Sequence, residues 1–210
     1  MDRHVASCEA GLRIARMDDL PRIESLIARS ARQLSAGYYS PAQVESLLRH
    51  CFGADSQLIR DATYYVVETP DGTLAAVGGW SRRRTLYGAD HTKSGADPAL
   101  DPACEPARIR AFFVDPRWAR QGLGRRLFAA CAAAAHAAGF QTLALVATLP
   151  GEPLYRALGF ELTERFTLRL PDGAVIPVAH MSRMVEPAVP VGPNPGGRGP
   201  GRHGHGVRPA

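Results

Sequence analysis

Residues 114–125 read VDPRWARQGLGR and continue directly from the run ARIRAFFV at 107–114. The β-branched and aromatic residues of that run predict a strand over Ala107–Val114. Asp115-Pro116 ends it and turns the chain. From about Gly122 an alanine-rich stretch predicts a helix to Ala138, which Gly139 is placed to terminate. A helix begun this way leaves its first four amides without internal partners, at the positive end of its dipole. Gly122 and Gly124 lack the Cβ atoms that would hold a ligand off the backbone, and Arg120, Arg125 and Arg126 add mobile positive charge. The combination suits a phosphate or diphosphate. It is not a dinucleotide fingerprint, because Leu127 stands where a third glycine is needed, and no Gly-Lys-Ser/Thr follows to make a P-loop.

Upstream, LRIAR (12–16) predicts a short opening strand, and MDDLPRIESLIARSARQL a helix with Leu20, Ile23, Leu26, Ile27 and Leu34 on one face, capped by Asp18 or Asp19. A second helix is expected from Ser40 as cap with Pro41 in its first turn. TYYVVET and TLAAVGGWS, joined by PDG, are the plainest hairpin in the chain. Residues Arg82–Pro106 form a long polar loop without a period, of a length that is often functional. Downstream, FQTLALVAT predicts a strand, EPLYRALG a short helix, FELTERFTLRL a strand, and a second PDG turns the chain into AVIPVAHMSRMV.

The chain has 210 residues, enough for one domain, and 45% of them are hydrophobic, enough for a core. No apolar run is long enough to span a membrane, and no secretory signal is evident, so a cytoplasmic protein is expected. Cys8, Cys51, Cys104 and Cys131 are far apart and suit reduced thiols better than disulfides or a zinc site. The net charge is +5, of which Arg198, Arg202 and Arg208 against Glu186 account for two. A mild positive field favours an anionic ligand, and no nucleic-acid-binding signature is visible. Of the 25 residues from Glu186 onward, 13 are Gly or Pro, the composition of a disordered tail. Its His203 and His205 read as incidental rather than as metal ligands.

VDPRWARQGLGRRL, followed about thirty residues later by EPLYRALGFE, resembles the GCN5-related N-acetyltransferase (GNAT) superfamily. The carriers are V-x-P…x-x-G-x-G in the strand and helix, and Leu-Tyr-x-x-x-Gly-Phe further on. The resemblance implies an α/β GNAT fold: one domain over residues 12–185, a mixed central sheet of six to seven strands and flanking helices, with 1–11 as an extension and 186–210 as a tail. It implies an N-acetyltransferase that uses acetyl-CoA and no metal, moving the acetyl group to a primary amine of a small molecule or peptide by direct attack in a ternary complex. An acyl-CoA-binding module without activity is the alternative. Nucleic acid and membrane are not expected as partners, and a homodimer is an expectation from resemblance alone.

Residue by residue, backbone groups of Phe112, Phe113 and Val114 would hold the pantetheine arm. Amides of Arg120, Gln121, Gly122, Leu123, Gly124 and Arg125 would cradle the diphosphate. The amide of Phe113 or Val114 would meet the developing oxyanion, and Thr148 would hydrogen-bond the cofactor. Tyr155 matches the tyrosine that protonates the leaving thiolate, although by itself it reads equally as a helix residue packed beside Leu154, Leu158 and Phe160. Ala119 stands where the family prefers Gln or Arg, so a side-chain contact is missing there while the amides are untouched. Neither central strand carries a carboxylate to act as base. The long loop offers Asp90, His91 and Glu105, and a water chain or capture of the neutral amine are the other routes. Arg108 and Arg110 share one side of their strand. They either cover that face or bind a neighbouring acid, the favoured reading, or receive a substrate carboxylate. Arg82–Arg84 begin a solvated loop.

Overall fold

The computed structural model describes residues 10–92 and 97–185. Residues 1–9 of the expected extension at 1–11, part of the long loop at 93–96 and the whole tail at 186–210, with its two histidines, lie outside the described residues, whereas Ala10 is buried and Gly11 opens the first strand. Seven strands form one sheet: β1 (Gly11–Ile14), β2 (Tyr64–Glu68), β3 (Leu74–Ser81), β4 (Ala107–Val114), β5 (Thr142–Thr148), β6 (Glu161–Arg169) and β7 (Val175–Met184). Their order across the sheet is β1-β2-β3-β4-β5-β7-β6. Every neighbouring pair is antiparallel except β4 and β5. The parallel pair is joined by α4 (Leu123–Ala137), as a parallel connection requires. No helix among the described residues is long and apolar enough to cross a membrane.

Helices cover both faces. On one, α1 (Leu20–Leu34) presents Ile23, Leu26 and Ile27 to Tyr64, Val66 and Val77, and α2 (Pro41–His50) presents Val44 and Leu47 to Ile176 and Val178. On the other, Phe128, Cys131 and Ala135 of α4 pack on Leu143, Leu145 and Ala147, beside α5 (Glu152–Ala157). Cys131 is therefore core. α2 starts as expected: Ser40 Oγ accepts the Gln43 amide, Gln43 returns a bond to the Ser40 amide, and Pro41 fills the first turn. α1 differs. Asp19 occupies its cap position, but the carboxylate bonds Arg13 and the Arg16 amide, closing a 3-10 turn over Met17–Asp19. That turn also ends β1 at Ile14 rather than at Arg16, although the Ala15 amide still reaches Tyr64 O. A five-residue helix, α3 (Ser56–Arg60), has no counterpart in the sequence reading; Asp55 caps it by accepting the Gln57 amide.

Two departures from regular sheet position the site. β4 and β5 pair only at Ala107↔Leu143 and Arg108↔Ala144, and beyond those residues they diverge. In β4 a bulge sits at Ala111, whose φ is +52°, and the register with β3 passes from Gly79↔Arg110 to Val77↔Phe113. Gly78 makes room for it: a Cβ there would lie 2.7 Å from the Phe112 ring. At the open end of β5, Tyr39 donates its hydroxyl to Pro177 O at 2.7 Å and accepts the Leu149 amide at 2.9 Å, which ties the diverging chain to the α1–α2 connection.

Candidate active site

The loop from β4 to α4 has the form the sequence predicts. Asp115, almost wholly buried, accepts the Arg117 amide and Nε at 3.0 Å each, and Arg29 Nη2 at 3.1 Å. Burial alone would raise its pKa, but these donors hold it below the usual aspartate value. Beyond this anchor, Arg120 and Gly122 both take positive φ, +65° and +82°. The first helical bond of α4 runs from the Arg126 amide to Gly122 O, and no side chain caps the helix. Among the described residues, the amides of Arg120, Gln121, Gly122, Leu123, Gly124 and Arg125 therefore have no acceptor. They form a concave row of donors at a helix N-terminus, a geometry made for an anion.

The two glycines serve different ends. A Cβ at Gly122 would meet nothing within 4 Å, so that position needs glycine for its left-handed backbone and leaves open space for a ligand. A Cβ at Gly124 would lie 2.9 Å from Leu154 Cδ2. Gly124 therefore lets α5 approach α4, and the expectation that it clears a path for ligand is corrected. The side-chain charges are also less free than expected. Arg126 is drawn off to Ala10 O and Arg125 reaches Ala157 O, leaving Arg120 exposed at the loop.

Where β4 and β5 part, two cavities meet. One, of about 130 Å³, opens toward α1 past Ser30 and Leu34. The other, of about 120 Å³, lies under the segment Leu86–Gly88. Phe52, Phe112, Phe113, Thr148 and Gly151 line both, so they form the neck between them. Thr148 thus stands at the junction, where its hydroxyl is available to either side. The Asp115 amide donates to Ala75 O at 2.8 Å, across to β3. Alternation along a strand then turns the amides of Val114 and Phe112 toward the opening. Of the two amides named for an oxyanion, that of Phe113 faces β3 and that of Val114 faces the gap between β4 and β5, on the side of the cavity beside α1.

Tyr155 lines the second cavity and packs on Phe160 at 5.7 Å and Phe112 at 6.3 Å between ring centroids. The ring packing expected of a helix tyrosine is present, and the same side chain lines the cavity. Burial pushes its phenol well above the usual tyrosine value. Arg110, 3% exposed, pairs with Asp55 at 3.0 Å and donates to Thr85 O and Gly88 O at 2.7 Å each. The favoured reading, an arginine bound to a neighbouring acid, holds for it. Arg108 is half-buried, and its Nε finds no hydrogen-bond partner among the described residues. Arg83 pairs with Asp61 at 2.6 Å and Arg84 with Glu105 at 3.4 Å, so neither is a free loop cation.

None of the three loop candidates for a base lines the cavity among the described residues. Asp90 accepts the Ser56 amide, Glu105 sits with Arg84, and His91 lies behind Gly53, its Cε1 3.1 Å from where a Cβ would stand there. The sequence reading missed Cys51, Phe52 and Tyr87 on the walls and Asp55 behind Arg110, all in connections without periodicity. No group of three or more His, Cys, Asp or Glu placed to hold a metal occurs among the described residues.

Residues 60–162 match the family model described as an acetyltransferase (GNAT) domain. No curated protein matches the chain in sequence. Among solved structures, a GCN5-related N-acetyltransferase from Rhodopseudomonas palustris is 17% identical with a TM-score of 0.60, over 83% of this chain and 95% of that one. The PaiA N-acetyltransferase of Thermoplasma acidophilum, solved with coenzyme A, is 13% identical at a TM-score of 0.56, over 83% and 98%. A phosphinothricin acetyltransferase of Sinorhizobium meliloti, solved with acetyl-CoA, is 20% identical at 0.55, over 84% and 89%. At these identities the likeness is one of fold, the seven-stranded sheet with helices on both faces. The match spans the bare-amide loop and the LYRALGF helix and identifies residues 60–162 as a GNAT acetyltransferase domain.

Proposed function

We propose that the chain transfers an acetyl group from acetyl-CoA to a primary amine of a small molecule or peptide, by direct attack while both substrates are bound. The observation that carries this is the continuity of three features: six bare amides at Arg120–Arg125, a neck between diverging strands, and a cavity with Tyr155 on its wall. The amide row suits the diphosphate. The bare edge of β4 at Phe112 and Val114 offers strand-like hydrogen bonds to an amide-bearing arm, and Thr148 adds a hydroxyl at the same level.

An arm laid along that edge brings a thioester to the gap between β4 and β5, where the Val114 amide would stabilise the oxyanion; a donor so placed contributes about 3 kcal/mol. The amine nitrogen bonds the acyl carbon, the C–S bond breaks, and the departing thiolate takes the Tyr155 proton. Burial raises the phenol's pKa and so keeps it protonated, and the same burial raises the basicity of the thiolate that forms beside it, so that the phenol can hydrogen-bond and then protonate the departing sulfur.

Among the described residues no acidic or imidazole side chain lines the cavity, which favours a second reading, an acyl-CoA-binding module without turnover. Calorimetry and an amine panel separate the two. Wild type is expected to bind coenzyme A and to release it from acetyl-CoA in the presence of amine. Gly122→Glu is expected to abolish binding, and Tyr155→Phe to keep binding while slowing release. Binding without release across the panel supports the module, and unimpaired binding by Gly122→Glu removes the basis of both.

A further inference from the structure

Resting on the transferase reading above, we infer that the acceptor is a weakly basic amine with an apolar flank, and that the site selects it by disfavouring the ammonium form instead of supplying a base. The apolar part of the second cavity's wall is formed chiefly by Phe52, Leu86, Tyr87, Ile109, Phe112 and Val146, and the rest is uncharged polar surface apart from Arg110. Its ionisable wall groups among the described residues are Cys51, Tyr87, Arg110 and Tyr155, and the only charge they bring is the Arg110 cation.

The carboxylates behind the walls are engaged elsewhere. Asp55 bonds Arg110, Asp90 bonds the Ser56 amide, and Glu105 sits with Arg84. Glu152, next to Gly151, takes Arg165 and Arg156. Two imidazoles stand near the cavity: His91 behind Gly53, and His180 of β7, which pairs across the sheet with Val146 of the wall and whose buried Nε2 has no hydrogen-bond partner among the described residues, with Glu164 of β6 beyond it. An ammonium entering here meets a buried cation, apolar rings and uncharged polar groups, and among the described residues no carboxylate on the wall to replace its water. The wall groups record the same environment. Burial raises the Cys51 thiol to about 11 and lifts the Tyr155 phenol, each in the direction of its neutral form. For an amine the same desolvation favours loss of the proton.

The consequence is selectivity by basicity. At pH 7 an alkylamine like that of lysine is neutral in roughly one molecule in 2,500, whereas an α-amino group is neutral in roughly one in eight. A site without a base takes only the neutral fraction, a difference of about 300-fold before intrinsic nucleophilicity narrows it. In the transfer, the neutral nitrogen bonds the acyl carbon and the C–S bond breaks. The nitrogen's surplus proton leaves to water at the cavity mouth, and Tyr155 supplies the thiolate's proton and regains one from solvent. The acceptors that fit carry an electron-withdrawing group near the nitrogen and a flat apolar portion for Phe52 and Tyr87.

The test compares 2-phenylethylamine with its 2,2-difluoro analogue, nearly equal in size and very different in basicity, by the pH dependence of kcat/KM with saturating acetyl-CoA. At pH 7 the difluoro amine is expected to be at least tenfold better, with the gap closing as pH rises and each profile levelling at that amine's own pKa. His91→Ala and His180→Asn are expected to leave both profiles in place. The inference is overturned if the more basic amine is better at pH 7, if both profiles break at one shared pH, or if either histidine variant removes the break; the transferase reading survives all three. If acetyl-CoA binds but neither these amines nor a wider panel is acetylated, the transferase reading falls and takes the inference with it.

Discussion

Replacing Arg110 by methionine tests the electrostatics of the site roof. The guanidinium and the Asp55 carboxylate lie 3.0 Å apart with side chains 2% and 1% exposed. Two unit charges at that separation attract by roughly 5 kcal/mol at an effective dielectric constant of 20. Much of this repays their desolvation, so the informative quantity is the cost of removing one partner, about 3–5 kcal/mol, because the other charge is left buried. Arg110→Met also strips Thr85 O and Gly88 O of their donor, at about 1 kcal/mol each. We expect a total near 5 kcal/mol, which for a domain of this size is a fall in Tm of about 10–20 °C. Asp55→Asn keeps an oxygen to cap α3 and isolates the charge; it is expected to cost about 3 kcal/mol. In the double variant no charge remains, so the cost is expected to be at least 2 kcal/mol less than the sum of the two. Urea and thermal unfolding of the four proteins measure the cycle. Arg110→Met within 1 kcal/mol of wild type, or a double variant that is simply additive, refutes the reasoning.

Gly79 and Gly124 are expected to respond oppositely to alanine. At Gly79 the new Cβ would meet Thr63 O and Tyr64 Cδ2 at 2.8 Å in the middle of the sheet, and urea unfolding is expected to show a loss of about 2–3 kcal/mol. At Gly124 it would meet only the Leu154 methyl, which can rotate, and the gain in helix propensity of about 1 kcal/mol offsets the contact, so the same assay is expected to give a net change under 1 kcal/mol. Asp19 has its pKa lowered, chiefly by its hydrogen bonds from Arg13, so its contribution is in force above about pH 4, the unfolded aspartate value, and is lost as pH falls through the lower folded value. Asp19→Asn should therefore lower stability at neutral pH and flatten its decline below pH 4 in acid titrations of the unfolding free energy. Ser40→Ala removes the acceptor of the Gln43 amide and is expected to lower stability by about 1 kcal/mol in urea unfolding.

What the sequence disclosed was what local chemistry decides. Ser40-Pro41 begins a helix because one side chain and one ring satisfy the needs of a first turn. Gly139 ends α4 because its φ of +93° is a conformation glycine takes without penalty. Both PDG stretches turn where the sequence says, with Gly72 and Gly173 at positive φ. The anion loop was legible for the same reason, since bare amides follow from a helix that starts without a capping side chain. What stayed hidden depends on residues distant in sequence. Nothing in AFFV announces that Ala111 bulges, because the cause includes Gly78, which leaves space for the Phe112 ring. α3 is too short to show a period, and its partner in the site, Arg110, lies 55 residues away.

The divergence of β4 and β5 ties these observations together. A sheet that stops pairing in its middle leaves backbone donors and acceptors facing each other without bonds, a costly state unless something else satisfies them. Here the chain invests structure in keeping the strands apart: the bulge re-aims β4, Gly78 admits the Phe112 ring, and Tyr39 holds the chain beyond β5 by two hydrogen bonds. The same strand, once past the bulge, delivers its chain to the row of amides at Arg120–Arg125, also bare. Two runs of unpaired backbone in series, one linear and one concave, are complementary to a molecule that is itself an extended amide chain ending in a diphosphate. The acceptor cavity has the opposite design. Two carbonyls of its roof segment are satisfied by Arg110, and that cation is paired with Asp55, so the side chains left on its wall to bond a ligand are uncharged, Tyr87, Thr148 and Tyr155 among them. On the proposed function, hydrogen bonding would hold the donor, and shape and the exclusion of charge would choose the acceptor.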